Sequence, residues 1–362
     1  MFYICYDISE IDLSNLNTSK VTNMAYMFYN CNSLSSLNFS NINTSCVTNM
    51  ARIFVYCSKL TIIDLSHFDT SNVINIEGMF SSCVNLEQII MNFDTSQVEI
   101  MNEMFYSCSS LTSLNLSNFN TSKVTSMKSM FAWCKGLTEL NLNHFDTSQV
   151  VSLYYMFEGC SNLKTLDISN FNTTKVTNMG FMFRSCSSLI VLNLTNFDTS
   201  TVRTMQEMFS GCSSLVILNI SNFITSKVTN MYFMFYKCSK LSSLDLSSFN
   251  TSQVTNMERM FGNCYNIANL NITNFDTSKA RNMDYMFEFC SIFESLDLSS
   301  FVTSNVETVN GMFSCCVKLI YLNLDDFVSS QVISMTGMFS YCQILTSLDL
   351  SHFNTSKVTK MN

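Results

Sequence analysis

The sequence predicts an α/β solenoid of about 14 coils with a 26-residue period, with a parallel β-sheet on the concave face and short helices on the convex face. Three observations carry this prediction. A cysteine returns at a fixed step along all 362 residues, each step contains a strand-like and a helix-like apolar pattern, and no proline or glycine cluster interrupts the series.

The cysteine step sets the period. Every interval is 26 residues except the one from Cys83 to Cys108, which is 25. Repeats of 20 to 50 residues are typical of solenoids. The cysteines in this phase are Cys5, Cys31, Cys57, Cys83, Cys108, Cys134, Cys160, Cys186, Cys212, Cys238, Cys264, Cys290, Cys316 and Cys342.

The first half of each coil predicts a strand. In the coil CSSLTSLNLSNFNTSKVTSMKSMFAW, residues 108–133, the leucines Leu111, Leu114 and Leu116 follow the LxxLxL pattern that opens a leucine-rich repeat. Leu114 and Leu116 are two residues apart, so both point to the same side of a strand. One coil cannot bury its own apolar side, whereas stacked coils cover each other and place their strands in a parallel sheet.

The second half of each coil predicts a short helix. Val124, Met127, Phe131 and Cys134 are spaced 3, 4 and 3 residues apart, and a polar Asn-Thr-Ser triplet at 120–122 precedes them as an N-cap or Asx turn. Because helices are wider than strands, they would fan out and bend the stack into a horseshoe. A 3₁₀ or extended segment is the alternative, since short apolar patterns are ambiguous.

The chain reads as a single continuous solenoid over residues 1–362 with both ends uncapped. It begins inside one coil, because Met1 and Phe2 match Met27 and Phe28, and it ends inside another. The opening MFYICYDISE lacks the basic leader and long apolar stretch of a signal peptide. Either the chain belongs to a longer solenoid or its ends stack on other copies.

Composition narrows the classes of function. The net charge is −8 and only 13% of residues are charged, which argues against nucleic acid as the main partner. No apolar run approaches the length of a membrane span. Aspartate and serine recur alike in every coil, so no single place has the unusual residues of a catalytic site, and no cofactor is implied.

Cysteine and histidine do not predict a metal site. No CxxC pair occurs, and the ladder cysteines are expected to be reduced thiols that pack as small core residues, with ladder disulfides as the alternative. His67, His144 and His352 occupy the same phase three and eight coils apart. We therefore expect exposed histidines that cannot share a metal ion.

A polar ladder on the outward side of the predicted strands is the candidate binding site. Its functional interpretation is a groove that meets a ligand by hydrogen bonds, and its alternative is a solvated sheet face. No two Asp occupy neighbouring coils of this ladder, which avoids stacking like charges. The ladder comprises Asn38, Asp64, Asn115, Asn141, Asp167, Asn193, Asn219, Asp245, Asn271, Asp297, Asn323 and Asp349.

The coil CSSLTSLNLSNFNTSKVTSMKSMF resembles the repeat of BspA-like leucine-rich-repeat surface proteins, and more closely the mycoplasma-type lipoprotein surface repeat. The pattern FxTSxVxxMxxMFxxCxxLxxLxLS recurs along essentially the whole chain. The resemblance implies surface display, adhesion to host molecules or other cells, and no enzyme activity. The chain lacks the signal peptide and lipobox of a complete member, so a cell-surface or extracellular location is implied by resemblance alone.

Three functions remain open from the sequence. The first is a non-enzymatic, surface-displayed repeat protein that mediates adhesion or protein–protein interaction through an extended repeat face, with a protein or cell-surface ligand. The second is a structural protein that assembles head to tail into a filament or layer. The third is an intracellular scaffold for protein contacts. A ligand site should show as a coil-specific patch of aromatic or charged residues.

Overall fold

The computed structural model describes residues 1–325 and 327–362. It comprises two compact units, Met1–Val176 and Thr177–Asn362, each of which is described by itself. Both units repeat one coil, in which a short strand is followed by a series of tight turns. A single continuous solenoid over residues 1–362 stays a prediction.

The strands of the first unit pair in parallel with the register that the period predicts. Leu140 lies opposite Leu166, for example, and Ile11 lies opposite Leu37. The pairs are β1 with β2, β3 with β4 and β5 with β6. The strands are β1 Glu10–Asp12, β2 Ser36–Asn38, β3 Ile62–Leu65, β4 Gln88–Met91, β5 Glu139–Asn141 and β6 Thr165–Asp167.

The second unit repeats this arrangement. Its pairs are β7 with β8, β9 with β10 and β11 with β12, again parallel and 26 residues apart in register. The strands are β7 Val191–Asn193, β8 Ile217–Asn219, β9 Ser243–Asp245, β10 Asn269–Asn271, β11 Ser295–Asp297 and β12 Tyr321–Asn323.

The parallel solenoid with a 26-residue period is confirmed, but the predicted number of about 14 coils is not supported. The described residues contain twelve strands, which correspond to about twelve turns. The expected strand positions at residues 113–115 and 347–349 contain no strand. The sheet is also divided into two-stranded pairs rather than running continuously.

The predicted convex helices are wrong. No helix occurs in the described residues, and hence none long and apolar enough to cross a membrane. In the segment that carries the 3, 4, 3 spacing, the Met130 N–H donates to Met127 O at 3.2 Å, while the Phe131 N–H donates to Met156 O of the next coil at 3.0 Å. Ser129 and Trp133 have φ of 55° and 63°, a left-handed conformation that L-residues do not adopt inside an α-helix.

The physical reason is the stacking distance. Neighbouring strands lie about 4.8 Å apart, whereas packed helices need about 8–10 Å between their axes. A coil with a strand on one side and a helix on the other must therefore fan out. In this protein, every second N–H group of the turn segment donates a hydrogen bond to a carbonyl of the next coil. The turn side of each coil therefore stacks directly on the next coil, as the strand side does. The wider helices on which the horseshoe prediction rested are absent from the described residues.

A column of stacked phenylalanine rings runs through the core of each unit. Phe131 and Phe157 in the first unit have ring centroids 5.8 Å apart and planes inclined by 2°, and Phe183 and Phe209 in the second have 5.8 Å and 4°. The parallel rings follow directly from an in-register stack of identical coils. Phe131 is buried, as are Met130 and Leu116.

At the phase of Leu114, the strand leucines are buried in some coils and half-buried in others. Leu114 is half-buried, as are Leu166 and Leu218, whereas Leu140 and Leu192 are buried. Leu114 lies at the interrupted strand position 113–115, one coil after the 25-residue step. The lost residue does not explain the half-burial, because coils with the regular 26-residue step show it too.

Candidate functional site

The strand face is defined here as the outward side of the strands, made by the first and third strand residues of each coil and the residue before the strand. The predicted Asn and Asp ladder lies on this face. Nine of its twelve members are exposed, and Asp167, Asn271 and Asn323 are half-buried. The structure thus places the ladder where the period-two pattern predicted, in parallel register within each strand pair.

Most ladder side chains already have a structural role. The Asp64 Oδ1 accepts a hydrogen bond from the Ser66 N–H at 2.9 Å, and Asn115 Oδ1 accepts one from the Ser117 N–H at 3.1 Å. This is an Asx turn, which reverses the chain after the strand. The same bond is made by Asn38, Asp64, Asn115, Asn141, Asp167, Asn193, Asp245, Asn271, Asp297, Asn323 and Asp349.

These bonds keep the aspartates ionised. The N–H and hydroxyl of Ser66 lower the pKa of Asp64, and the hydroxyl and N–H of Ser169 lower the pKa of Asp167. Because the bonds engage Oδ1, the second carboxylate oxygen remains available to a ligand in geometric terms. Ligand binding by the ladder stays a proposal.

A groove of about 760 Å³ lies on the strand face of the first unit. It lies across three coils, at residues 113–117, 139–144 and 165–167. Its lining includes Glu139 and Asp167 on the strand face, while Leu114, Leu140 and Leu166 hold the central positions that face the core. The groove includes the interrupted strand position at 113–115.

Charge is unevenly distributed over this face. The first unit contains 14 acidic and eight basic residues, and the strand face holds six of the acidic residues and one of the basic residues. The base is Lys164. The acidic residues on the strand face are Glu10, Asp12, Asp64, Glu87, Glu139 and Asp167.

A different patch lies on the strand face of the second unit. Ile190, Val191, Val216 and Ile217 are 51%, 49%, 42% and 49% exposed, although all four are β-branched aliphatics. Val191 and Ile217 are register partners in the β7–β8 pair, so the four side chains are neighbours. Contiguous exposed apolar surface of this kind is typical of interaction sites.

The turn face, defined as the outward side of the turn segments, carries the aromatic residues. In the second unit the Arg259 guanidinium lies 4.3 Å from the ring centroid of Tyr285 and 5.7 Å from that of Phe233. Its Nη1 atom lies 3.2 Å from Glu288 Oε2, without the geometry of a hydrogen bond. In the first unit, Tyr3 stacks on Tyr29 with centroids 5.1 Å apart. Neither of these two clusters was predicted from the sequence.

The ladder cysteines act as hydrogen-bond donors in the core. The Cys134 thiol donates to the Phe105 carbonyl of the preceding coil, with Sγ and O 3.0 Å apart. Burial raises the pKa of this thiol well above its ordinary value of 9.0, and it raises the pKa of Cys160 to about 12. A thiol that stays protonated is a poor nucleophile and a poor metal ligand. Cys46 differs, because it is exposed.

The histidines are exposed, as predicted, and two of them contact the main chain. His67 Nε2 lies 2.9 Å from Phe39 O, and His144 Nε2 lies 2.8 Å from Leu116 O. In the part of the chain that the structure describes, no three His, Cys, Asp or Glu side chains are grouped so that they could hold a metal ion.

A ladder of buried threonines is the main feature that sequence analysis missed. The Thr95 hydroxyl donates to Asn120 O at 2.9 Å and accepts from Asn120 N–H at 2.7 Å, so it bridges both main-chain groups of one residue in the next coil. Thr147 makes the same two bonds to Asn172. The signal was present, because threonine occupies this phase in nearly every coil.

Lysine recurs at the phase of Lys123 and Lys279, and it never occupies this phase on two neighbouring coils. Lys123 Nζ donates to Gln97 Oε1 of the preceding coil at 2.5 Å, and Lys279 donates to Gln253 at 2.6 Å. A glutamine between two lysines replaces a repulsion by a hydrogen bond. These contacts are exposed and hold neighbouring coils in register.

Fold and surfaces together define a leucine-rich-repeat-like β-solenoid with parallel strands. The chain belongs to the family described as "Mycoplasma protein of unknown function, DUF285", which matches residues 1–114, 101–215, 186–297 and 290–362. This confirms the resemblance to the mycoplasma-type repeat. No curated protein matches the chain.

Several solved structures of bacterial leucine-rich-repeat proteins are similar. One from Bacteroides ovatus has 15% identity and a TM-score of 0.47, with 99% of this chain and 85% of that chain covered. One from Eubacterium ventriosum has 16% identity and a TM-score of 0.43, with 91% and 82% covered. A leucine-rich cell-surface protein from Faecalibacterium prausnitzii has 18% identity and a TM-score of 0.38, with 95% and 87% covered.

Proposed function

We propose that this protein is a non-enzymatic repeat protein, displayed on the cell surface, that mediates adhesion or protein–protein interaction through its strand face. The observation that carries the proposal is the contrast between the two sides of the strands. Inward residues repeat from coil to coil, whereas outward residues form distinct local surfaces, carboxylates in the first unit and the Ile190 patch in the second. Such variation over a constant core favours recognition.

The apolar patch allows a direct test of adhesion. Beads coated with the protein are applied to cultured cell layers and to immobilised matrix proteins, and bound beads are counted. The patch variant replaces four residues by serine: Ile190, Val191, Val216 and Ile217. The control variant replaces four equally exposed β-branched residues outside the strand face by serine: Ile74, Ile224, Val302 and Ile333.

We expect the patch variant to bind about tenfold less than the unchanged protein, because apolar side chains at the centre of an interface contribute most of its free energy. The control variant should bind as the unchanged protein does. Failure of unchanged protein to bind any surface would contradict adhesion, and equal losses in both variants would contradict the strand face as the contact.

Surface display is tested on intact source cells. Protease added outside the cells should degrade the protein while a cytoplasmic marker stays intact. Protection of the protein until the cells are lysed would favour the intracellular scaffold instead.

A second candidate function is head-to-tail assembly. An apolar cavity of about 350 Å³ at the first coil is lined by residues including Met1, Leu16 and Met24, and Leu350 and Met361 are exposed in the last coil. Apolar surface of this kind supports end-to-end contact between copies of the 362-residue chain.

Light scattering over a concentration series tests assembly, with Phe2→Glu and Val358→Glu as the disrupting variant and Ile74→Glu with Ile333→Glu as the control. Growth of the unchanged chain and the control, but not of the disrupting variant, is expected. A chain that remains monomeric at high concentration contradicts assembly.

A further inference from the structure

We propose that the tyrosine cluster on the turn face of the first unit is a site of oxidative cross-linking, at which hydrogen peroxide and a haem peroxidase join the rings of Tyr3 and Tyr29 by a covalent bond. The tyrosine cluster is defined as Tyr3, Tyr26, Tyr29 and Tyr56. This modification is independent of the adhesion proposed above. Three features of the cluster support it: its position in the repeat, the distances between its rings and its exposure to solvent.

The cluster is concentrated in a few neighbouring coils. Five of the 14 tyrosines of the chain lie within residues 3–56. Tyr3 and Tyr29 hold the same phase one coil apart, and the Ile4 N–H donates to Tyr29 O at 2.7 Å, so the main chain sets the two rings side by side. Serine, alanine or valine holds this phase in several other coils, which shows that the repeat does not require an aromatic ring there.

The four rings form one connected group around Tyr29. The ring centroids of Tyr3 and Tyr29 lie 5.1 Å apart with planes inclined by 17°, which is a stacked pair. The centroids of Tyr26 and Tyr56 lie 5.6 Å and 5.9 Å from that of Tyr29. Rings at such distances have carbon atoms close to van der Waals contact. Two radicals formed on this group therefore meet without a large movement of either ring.

The cluster is accessible to an oxidant. Tyr3, Tyr26 and Tyr56 are 54%, 43% and 47% exposed, and Tyr29 is half-buried among them. Burial raises the pKa of the Tyr29 phenol above its ordinary value of 10.0, so at neutral pH its oxidation releases a proton together with the electron. A peroxidase therefore oxidises the exposed phenols directly, and an exposed phenoxyl radical takes an electron and a proton from Tyr29.

The reaction removes two hydrogen atoms from a pair of tyrosines. Each phenol gives up one electron and one proton and becomes a phenoxyl radical. The two radicals couple through ring carbons next to the hydroxyls, the Cε atoms, and the hydrogens on these carbons then move to the oxygens through water. The tyrosines are thereby oxidised, while hydrogen peroxide takes up the two electrons and two protons at the haem of the peroxidase and is reduced to two water molecules.

The cross-link ties two neighbouring coils together. Because the coils of a solenoid contact mainly their neighbours, a covalent bond between two of them opposes their local separation. The Ile4 amide hydrogen reports on this separation, since it bonds Tyr29 O in the neighbouring coil. Its exchange with solvent should therefore slow when the cross-link has formed.

The test uses the full chain in dilute solution with hydrogen peroxide and a purified haem peroxidase. Gel filtration under denaturing conditions separates single chains from chains joined to each other, and the single chains are digested with trypsin. Trypsin places Tyr3 in fragment 1–20 and Tyr29 in fragment 21–52. A joined pair of these fragments, assigned to the two tyrosines by its fragmentation in the mass spectrometer, identifies the cross-link.

Two variants show whether the cluster is responsible. Tyr29→Phe keeps the ring and removes the phenol, and the control Tyr321→Phe removes a phenol that is 56% exposed and contacts no other aromatic ring in the described part of the chain. We expect Tyr321→Phe to give joined fragments within about twofold of the unchanged protein, and Tyr29→Phe to give about fivefold less, because effective concentration falls with distance. Tyr26 remains as a more distant partner for Tyr3, with centroids 6.4 Å apart.

The unchanged protein alone decides whether the joined fragments form, so the test does not depend on the folding of a variant. Absence of the joined fragments from the unchanged protein, cross-links only between separate chains, or equal yields from Tyr29→Phe and the unchanged protein would each overturn the inference. Exchange of the Ile4 amide as fast after cross-linking as before would overturn the effect on the two coils.

Discussion

At the scale of single residues, the short polar side chains hold this solenoid together. Thr225 illustrates how: its hydroxyl donates to Asn250 O at 2.9 Å and accepts from Asn250 N–H at 2.8 Å. Each coil thus ties the main chain of the next with one side chain. Serine can replace threonine in this role, as Ser329 does to Asn354.

Replacing Thr225 by valine should destabilise the second unit by about 1–3 kcal/mol, because two main-chain groups of Asn250 lose a partner at a site where Thr225 is buried. Urea unfolding followed by circular dichroism measures the change. Thr229→Val is the matched control, since Thr229 is exposed. Equal stability of the two variants would show that the bridging hydroxyl contributes nothing.

Thiol chemistry gives a second prediction at this scale. Burial raises the pKa of Cys83 and Cys212 to about 12 from an ordinary value of 9.0. At pH 8, iodoacetamide should modify exposed Cys46 quickly and the buried ladder cysteines only after unfolding. Mass spectrometry of the labelled chain identifies the sites. Rapid labelling of most ladder cysteines in the native chain would contradict their assignment to the core.

The same pKa shifts predict the direction in which the stability of the folded state changes at alkaline pH. A thiol whose pKa is higher in the folded state binds its proton more tightly there, so its contribution is complete below pH 9. As pH rises from about 9 toward 12, the unfolded chain ionises first and the folded state loses stability. Thermal unfolding over this range should show the decline, and alanine in place of Cys212 should reduce its slope.

At the scale of elements, the turn segment explains where large side chains and glycines occur. Gly159 has φ of 70°, and a Cβ placed there would lie 2.6 Å from Cε3 of Trp133 in the preceding coil. A Cβ placed at Gly311 would likewise lie 2.4 Å from Cδ1 of Tyr285 in the preceding coil. At these two positions, glycine leaves room for the ring of the preceding coil.

Gly159→Ala should destabilise the first unit by about 1–3 kcal/mol, because the new methyl group meets the Trp133 ring and the left-handed conformation disfavours it. In the Trp133→Ala variant, Gly159→Ala should destabilise the first unit less, because only the unfavourable left-handed conformation of the alanine remains. A double-mutant cycle by chemical unfolding measures this coupling. Additive effects of the two substitutions would contradict the ring contact as the reason for glycine.

The phenylalanine column is the other repeated element. Phe131→Ala should cost about 3–5 kcal/mol locally, because it removes a fully buried ring from a stack. Repeats contact only their neighbours, so hydrogen exchange should rise in the adjacent coils and stay unchanged farther away. Phe131→Leu serves as a milder comparison. A uniform rise along the whole unit would contradict nearest-neighbour stabilisation.

At the scale of the whole molecule, the Asx turns formed by aspartates make the stability of the fold depend on pH in the acid range. Asp12, Asp245 and Asp297 each have a lowered pKa because a serine N–H, two residues later, bonds the carboxylate. A lowered pKa means that the stabilisation is present above the ordinary value of 3.8 and is lost as pH falls below it.

The melting temperature should therefore fall between about pH 4 and pH 2. Asp245→Asn with Asp297→Asn should flatten this dependence, because asparagine keeps the acceptor oxygen without titrating. Glu294→Gln is the control, since it removes an exposed charge from the same face without an Asx turn. An unchanged slope in the double variant would show that these turns do not control acid stability.

The sequence by itself determined the period, the positions of the twelve strands that form, the parallel register and the core ladders, because each follows from residues that recur every 26 positions. Tertiary structure decided the rest. Val124, Met127 and Phe131 have helical spacing in isolation, but their coil stacks on neighbours about 4.8 Å away, a distance at which turns bond the next coil and a helix does not fit. The patch around Ile217 joins residues one period apart, so the register predicts which of them are adjacent. Only the structure shows that these aliphatic side chains are exposed, because exposure depends on how each coil folds around its core.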